Sequence, residues 1–341
     1  MAEVTTIGLD LAKQVFHVHG ADASGAGLFS KRLTRSKVLG FFASQPRCLV
    51  AMEACGGSHH WARELERLGH DVRMIPPAYV KPFVKRQKND ARDAEAICEA
   101  AQRPSMRFVP VKTEEQQASA VVFRTRDLLV RQRTQLVNAL RGLASEYGWV
   151  VAQGRSKLAG LVASIEDPSC ALPKAARDSF LVIVESVKAL EERIAGLDQE
   201  IARRAKEDEE AKRLMTIPGV GPIGATAIIA LAPAARTFRS SRDFAAWLGL
   251  TPLQHSTGGK ERLGKISKAG ERTLRRLLII GAAAVVNQAS RHGARPGSWL
   301  AKLLARKPRM LAIVALANKM ARIVWALLVK GGVYKAPALA A

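Results

Sequence analysis

Four carboxylates near the amino terminus stand where predicted elements end or begin. Asp10 and Glu53 each close a short apolar run of the kind that forms a buried strand. Asp90 and Asp93 lie three residues apart at the start of a helical segment, so both can point to one side of the helix. Because Mg²⁺ prefers hard oxygen ligands, such a set can hold two divalent cations about 4 Å apart during phosphoryl transfer. The pattern therefore predicts a metal-dependent site that acts on phosphate groups.

A structural role for the same acids is the alternative. Asp90 can cap its helix, and Asp93 can form an ion pair with Arg92 or Lys88 in water. Any strand can also end on an acid. The metal hypothesis is preferred because the four acids occur together in a chain that is otherwise strongly basic.

A second chemically active segment is the loop at 255–270. It places the hydroxyls of Ser256 and Thr257 among cations and glycines, and glycines let a backbone approach a phosphate closely. A serine there can attack phosphorus when a base or metal removes its proton, or it can simply hydrogen-bond the loop backbone. No G-x-x-x-x-G-K-[ST] pattern occurs, so nucleotide hydrolysis is not indicated. The predicted phosphate contacts in this loop and the next helix are Lys260, Arg262, Lys265, Lys268, Arg272, Arg275 and Arg276.

The elements that must position the carboxylates form an α/β pattern. Three strands, then helix, strand, helix and strand predict a mixed central sheet, whose strand ends face a crevice. A long helical pattern follows at 113–147. The predicted strands lie at 4–9, 15–20, 27–34, 48–53 and 71–76, and the predicted helices at 36–45, 58–69 and 89–102.

After a polar stretch at 152–173, apolar residues recur at alternating steps of four and three. This is the a/d spacing of a coiled coil, and Glu and Arg flank it. It predicts pairing with another chain or an antiparallel hairpin with helix 113–147, and an ordinary core helix is the alternative. The positions are Ile183, Val187, Leu190, Ile194, Leu197 and Ile201.

Charge is distributed unevenly along the chain. The 341 residues carry 53 Lys and Arg against 30 Asp and Glu, but residues 213–341 hold 21 of the bases and only three of the acids. The net charge of +23 predicts a polyanionic partner, bound mainly by this last, largely helical part. A hydrophobic content of 48% excludes a disordered basic tail, and an aromatic content of 5% favours contacts to the phosphate backbone over base stacking.

The remaining features predict a cytoplasmic protein with no zinc site and no membrane span. The four cysteines form no C-x-x-C pair, and the first residues show no leading basic region of a signal peptide. The apolar stretch at 277–286 is too short for a bilayer, and the one at 310–329 is interrupted by Lys319 and Arg322.

Three N-terminal segments, Gly8–Lys13, Met52–Ala54 and Lys88–Ala94, resemble the D, E and D-x-x-D blocks of the transposases of the insertion sequence 110 family. Segments 244–252 and 255–282 closely resemble the C-terminal domain of the same family, especially of its 1111 subgroup. The resemblance covers essentially the whole chain, in order.

The resemblance implies three parts. The first is a RuvC-like domain with a ribonuclease H fold and a long C-terminal helix, and the second is a linker with the coiled-coil segment. The third is a mainly helical, basic transposase domain with the catalytic serine. Their expected bounds are 1–150, 151–212 and 213–341.

The resemblance also implies a recombinase that cuts and rejoins DNA through a covalent phosphoserine intermediate. Ser256 matches the nucleophile in the Ser-Thr-Gly-Gly-Lys form of the 1111 subgroup, whereas other subgroups have serine directly before glycine, the place that Thr257 occupies here. The implied partners are donor and target DNA, a structured bridge RNA that pairs with both, and further copies of the chain in a dimer or a tetramer. The implied ligands of Mg²⁺, for which Mn²⁺ can substitute, are Asp10, Glu53, Asp90 and Asp93.

Two other functions stay open from the residues alone. A metal-dependent nuclease of the Holliday-junction type would hydrolyse DNA with water and need no serine. A non-catalytic scaffold would only bind nucleic acid. The segment Ile217–Gly224 is similar to the hairpin of helix-hairpin-helix DNA-binding units, or it simply connects two helices.

Overall fold

The computed structural model describes residues 3–84 and 89–336. The chain divides into two compact units, Met1–Gln117 and Ala118–Ala341. Separate hydrophobic clusters lie in the two units. The first carries the four predicted carboxylates, and the second carries the predicted serine loop.

A mixed five-stranded sheet forms the centre of the first unit, as the sequence predicted. Its strands are β1 (Thr6–Asp10), β2 (Val15–Ala21), β3 (Gly27–Thr34), β4 (Leu49–Glu53) and β5 (Asp71–Ile75). They lie in the order β3-β2-β1-β4-β5. The β1–β2 and β2–β3 pairs are antiparallel, whereas β1–β4 and β4–β5 are parallel.

Helices cover both faces of this sheet. The helices of the first unit are α1 (Val38–Ala43), α2 (Ser58–Arg67), the short α3 (Pro77–Val80) and α4 (Asp90–Ala101). Ile7 and Leu9 of β1 share a buried cluster with residues of α1 and α2, whereas Ile97 of α4 belongs to a second cluster with β4 and β5. Because side chains alternate along a strand, Gly8 and Asp10 face away from Ile7 and Leu9, toward α4.

Gly8 lets α4 lie directly on the sheet. A Cβ atom at this position would come 2.1 Å from the carbonyl oxygen of Ala94 and 2.7 Å from the backbone nitrogen of Cys98. Both are backbone atoms of the helix, so no side-chain movement can relieve the clash. The missing side chain therefore sets the distance between β1 and the helix that carries Asp90 and Asp93.

Two long helices open the second unit and run antiparallel. They are α5 (Glu114–Ser145) and α7 (Lys174–Glu207). Arg126 of α5 forms a bidentate ion pair with Asp198 of α7, and Arg133 lies 4.0 Å from Glu191. From the first ion pair to the second, the residue number increases along α5 and decreases along α7, so the two helices are antiparallel. Four of the six heptad positions are buried, namely Val187, Leu190, Ile194 and Ile201.

The polar stretch at 152–173, which belongs to the predicted linker, contains a helix. This helix, α6 (Arg155–Glu166), buries Leu161 and Ile165 against Leu140 of α5 and Phe180 of α7. Its glycine and serines weaken the helical pattern in the sequence, so tertiary packing decides the conformation.

The basic end of the chain is a helical bundle with one two-stranded sheet. Strand β6 (Pro252–Gln254) pairs antiparallel with β7 (Leu263–Ile266). The turn in the segment Ile217–Gly224 packs against the bundle, since a Cβ on Gly281 would lie 2.0 Å from the carbonyl oxygen of Gly219. The helices are α8 (Glu209–Met215), α9 (Pro222–Leu231), α10 (Ser241–Trp247), α11 (Arg272–His292), α12 (Trp299–Leu304) and α13 (Arg309–Lys330).

Within the described residues, α13 is the one helix long and apolar enough to cross a membrane. Its buried side chains, including Ala317, Ala321 and Val324, share a core with those of α9 and α11. The apolar composition of α13 is therefore used in the packing of the bundle.

Candidate functional site

The first unit brings three of the four predicted carboxylates together. One oxygen each of Asp10, Asp90 and Asp93 lies within 4.8 Å of the other two. Asp10 is the last residue of β1, and the two other acids occupy the first turn of α4. The positive end of the helix dipole favours carboxylates in that turn. Because α4 rests on Gly8, the first turn of the helix lies beside the end of β1.

Capping of α4 is performed by a neighbour of these acids. The side-chain oxygen of Asn89 accepts a hydrogen bond of 2.9 Å from the backbone nitrogen of Arg92, which makes Asn89 the N-cap residue. The alternative in which Asp90 caps the helix is therefore wrong. Lys88, the other proposed partner of Asp93, lies outside the described residues.

Glu53 ends the strand next to β1. Leu9 and Met52 are register partners in the parallel β1–β4 pair, so the residues that follow them, Asp10 and Glu53, end at the same edge of the sheet. Glu53 is not part of the group of three, but its negative charge contributes to the raised pKa of Asp10. From this position the carboxylate of Glu53 can supply a fourth oxygen ligand to the cluster.

The pKa of Asp10 reports the electrostatics of this site. Burial raises it, and the negative charges of Asp93, Asp90 and Glu53 raise it further, to about 6. The nearby imidazole of His17 lowers this pKa only in part, so like charges stand close together here, a situation that a divalent cation relieves. Hard oxygen donors, close spacing and the mutual repulsion of the carboxylates all fit a cation such as Mg²⁺ or Mn²⁺.

His17 is a neighbour of the cluster that the sequence analysis missed. It is the register partner of Asp10 in the antiparallel β1–β2 pair, and its Nε2 lies 3.6 Å from Oδ2 of Asp90. Its side chain is 18% exposed. The signal was present in the sequence, because a short connection between two antiparallel strands places residues 10 and 17 opposite each other.

We expect Asp10→Asn to stabilise the metal-free first unit at neutral pH. Asp10 holds its proton more tightly in the folded state, with a pKa of about 6 against an ordinary 3.8. Ionisation therefore costs stability, and this cost is absent below pH 4, grows between pH 4 and 6 and is complete above pH 6. Because the carboxyl is only partly buried, the expected gain for the variant is about 1–2 kcal/mol at pH 7.5.

Thermal unfolding in a metal chelator at pH 4 and pH 7.5 measures this effect. The variant and the wild type should unfold alike at pH 4, and addition of Mn²⁺ at pH 7.5 should stabilise only the wild type. A variant that is less stable than the wild type at pH 7.5 without metal would contradict the expected charge repulsion.

The predicted serine loop of the second unit is a tight β-hairpin. Gly258 and Gly259 have φ angles of 55° and 76°. A type I′ turn requires a positive φ angle at both of its central residues. The backbone of Thr257 pairs with that of Lys260 across this turn. Replacement of either glycine by a residue with a side chain would strain the backbone of the turn, so both glycines are needed for the conformation of the hairpin tip.

Ser256 is fixed beside this tip and remains exposed to solvent. Its Oγ accepts a hydrogen bond of 3.1 Å from the backbone nitrogen of Arg262. The backbone nitrogen of its neighbour His255 donates to the carbonyl oxygen of Arg262 at 2.8 Å. The hydroxyl oxygen is thereby oriented by the strand opposite, and its own proton is left to be donated elsewhere.

The base of the hairpin is anchored to α10. Gly270 lies so close to this helix that a Cβ would come 1.7 Å from the carbonyl oxygen of Trp247. The guanidinium of Arg275 donates to the carbonyl oxygens of Leu248 and Ala269, which joins the end of α10 to the loop. The exposed hairpin thus rises from a rigid base.

The seven cations predicted to contact phosphate fall into two groups. Arg275 is bound to backbone carbonyls as described, and Arg276 forms an ion pair with Asp127 of α5. Both arginines are half-buried. The other five are exposed around the hairpin and at the start of α11, namely Lys260, Lys265, Lys268, Arg262 and Arg272.

A carboxylate cluster at a sheet edge, together with an exposed hydroxyl among cations, is the equipment expected of enzymes that act on phosphodiesters. Residues 7–148 match the family model of the DEDD transposases of the IS110 type. Residues 211–295 match the model described as transposase IS116/IS110/IS902 family.

Known transposases are similar over nearly the whole chain. A probable family 20 transposase of Pseudomonas aeruginosa is 50% identical over 334 residues, which cover 97% of this chain and 99% of the relative. The transposase of insertion sequence element IS1328 of Yersinia enterocolitica is 40% identical, with coverage of 98% and 99%. That of IS1111A of Coxiella burnetii is 38% identical, with 98% and 92%. The chain belongs to the IS110/IS116/IS902 family of insertion-sequence transposases.

Proposed function

We propose that this transposase cuts and rejoins DNA through a covalent serine–phosphate intermediate, with a divalent cation held by the carboxylates of the first unit. The observation that carries the proposal is the grouping of Asp10, Asp90 and Asp93 within 4.8 Å. Glu53, at the same sheet edge, is proposed as the fourth member. Bound there, Mg²⁺ or Mn²⁺ would supply positive charge for the oxygens that exchange on phosphorus.

Ser256 is proposed as the nucleophile. Its Oγ would form a bond to phosphorus as the bond between phosphorus and a sugar oxygen breaks. The serine proton passes to a base, and the released sugar oxygen takes up a proton. Because one phosphoester replaces another, the reverse attack by a sugar hydroxyl can rejoin a strand without an external energy source. Exposure of Ser256 at a rigid hairpin supports the assignment, and Thr257 is the alternative.

Membership of the family and the positive charge of the chain support DNA as the proposed partner. Exposed cations around the hairpin would hold the DNA phosphates that flank the reacting group. Arg275 and Arg276 would act by supporting the loop and α11, since both already contact protein groups. We further propose a bridge RNA that pairs with donor and target DNA, because base pairing would supply the sequence choice that backbone contacts lack.

The proposed domains are 1–150, 151–212 and 213–341, with α5 and α7 forming a coiled coil that supports a dimer or a tetramer. The ion pairs that join α5 to α7 support the hairpin form of this coiled coil. Under this proposal the buried heptad positions hold the hairpin together, and other faces of the two helices contact further copies of the chain.

We expect Asp10→Asn and Asp90→Asn to abolish DNA cleavage. Both substitutions keep the shape of the side chain but remove a charged ligand, so activity should fall by at least about 100-fold. The measurement is strand cleavage of DNA carrying the ends of the element, by protein expressed together with the element, in Mg²⁺ or in chelator. Asp71→Asn is the matched control, because Asp71 is an exposed acid that begins β5 of the same sheet.

The alternative functions give different results. DNA binding without cleavage by the wild type, unchanged in Asp10→Asn, would indicate a scaffold. Full cleavage by Asp10→Asn without dependence on Mg²⁺ would indicate a different active centre. Metal-dependent cleavage whose products carry only free ends would indicate the hydrolytic nuclease. The proposal requires metal dependence together with a protein-linked DNA end.

A further inference from the structure

His17 lies on the same side of the sheet as the carboxylate cluster. Register partners in an antiparallel pair have side chains on the same face, and His17 is the partner of Asp10. The neighbours of His17 on β2, Phe16 and Val18, are fully buried in the core on the opposite face. Alternation along β2 therefore holds the imidazole on the α4 side of the sheet.

The separation of His17 from Asp90 is informative. At 3.6 Å, Nε2 and Oδ2 are too far apart for a good hydrogen bond, which spans about 2.7–3.2 Å. Two ligands with bonds of about 2.1 Å to one cation lie about 3.0 Å apart at a right angle and about 4.2 Å apart when opposite. The observed separation falls between these limits, so one ion can contact both of these atoms. His17 is not part of the group of three acids that lie within 4.8 Å of one another, so a cation shared with Asp10 as well requires rotation of side chains.

We propose that His17 binds, through Nε2, the same divalent cation as Asp10 and Asp90. The inference deepens the proposed function and rests on it, because it adds a nitrogen donor to the carboxylate set. The imidazole is largely buried between β2 and α4, and its position is set by backbone pairing. The spacing of the acids in the sequence does not identify His17 as a ligand.

A nitrogen ligand changes which cation the site prefers. Imidazole suits first-row transition metals, whereas Mg²⁺ is held almost entirely by oxygen. His17 should therefore shift the preference of the site toward Mn²⁺. Loss of the imidazole should weaken Mn²⁺ binding by about tenfold or more and leave Mg²⁺ binding much less affected.

The test uses the full-length chain loaded with Mn²⁺ and measures pulsed electron paramagnetic resonance. Wild-type protein should show coupling of Mn²⁺ to a ¹⁴N nucleus, and His17→Asn should lack this coupling while still binding Mn²⁺. The matched control is His19→Asn, since His19 lies two residues along the same strand and pairs with Gly8 instead of Asp10. This variant should keep the coupling. Titration calorimetry with Mn²⁺ and with Mg²⁺ then gives the change in preference.

Each outcome is decisive. Bound Mn²⁺ without nitrogen coupling in the wild type, or coupling that persists in His17→Asn, overturns the role of His17 and leaves the carboxylate site intact. Mn²⁺ binding that is absent from the wild type, or unchanged in Asp10→Asn, overturns the proposed metal function itself. If His17→Asn does not fold by circular dichroism, His17→Gln replaces it, and the spectrum of the wild type alone still decides whether nitrogen is bound.

Discussion

Ser256→Ala should abolish the covalent protein–DNA adduct and all strand joining. Removal of a catalytic nucleophile costs at least about 10³-fold, because the covalent bond to phosphorus can no longer form at that residue. The hairpin should stay folded, since the hydrogen bond from Arg262 to Ser256 Oγ is exposed and contributes little to stability. The measurement is denaturing electrophoresis of end-labelled DNA after reaction with Mg²⁺, in which an adduct migrates with the protein.

Thr257→Val is the control for this experiment. It removes the adjacent hydroxyl but keeps the shape of the side chain, and the pairing of residue 257 with Lys260 uses only backbone atoms. The adduct should therefore persist. An adduct that is lost in Thr257→Val and kept in Ser256→Ala would move the nucleophile to Thr257. Unimpaired cleavage in Ser256→Ala, without an adduct, would support hydrolysis by water.

Gly8→Ala should unfold or rearrange the first unit and eliminate its cation binding. The new methyl group would lie 2.1 Å from a carbonyl oxygen of α4, so the helix must move away from β1. Forced overpacking of this kind costs about 2–3 kcal/mol, and more where backbone must shift, which lowers the melting temperature by about 10 °C. Because Asp90 and Asp93 move with α4, Mn²⁺ affinity should fall at least tenfold even in protein that still folds.

Gly40→Ala provides the comparison. Gly40 lies in α1 of the same unit, and no atom within 4 Å would meet its Cβ. Alanine is the better helix former, so this substitution should stabilise the unit slightly, by up to about 1 kcal/mol. Melting curves and Mn²⁺ titrations of the two variants give the result. Equal stability of Gly8→Ala and wild type would show that the sheet and α4 are not closely packed.

Much of the first unit could be predicted from the sequence because its elements have strong local signals. The order of predicted strands and helices and the acids that end β1 and β4 indicated a mixed sheet with a functional edge, and the structure confirms the sheet. Gly8, however, looked like an ordinary strand residue in the sequence. Its importance depends on the approach of α4, a contact between parts of the chain about 90 residues apart, and no local pattern encodes such a contact.

The same limitation explains what was missed elsewhere. His17 became interesting only through its register with Asp10, which requires strand pairing and not only strand prediction. The sequence predicts phosphate contacts for Arg275 and Arg276, but it does not reveal that their guanidinium groups contact backbone carbonyls and Asp127. Helix α6 was missed because its glycine and serines weaken the helical pattern of the sequence. Its apolar residues are stabilised by packing against α5 and α7. Charge and periodicity identify kinds of surface, whereas individual partners depend on tertiary structure.

The order of the ligands along the chain has a consequence for synthesis. Asp10 and Glu53 leave the ribosome early, but Asp90 and Asp93 follow only after most of the sheet has been made, on a helix that ends at Ala101. On the function proposed, a truncated or nascent chain that stops before α4 holds two isolated acids and no cation site. Under this proposal, products that stop before α4 would be unable to cut DNA in a metal-dependent way.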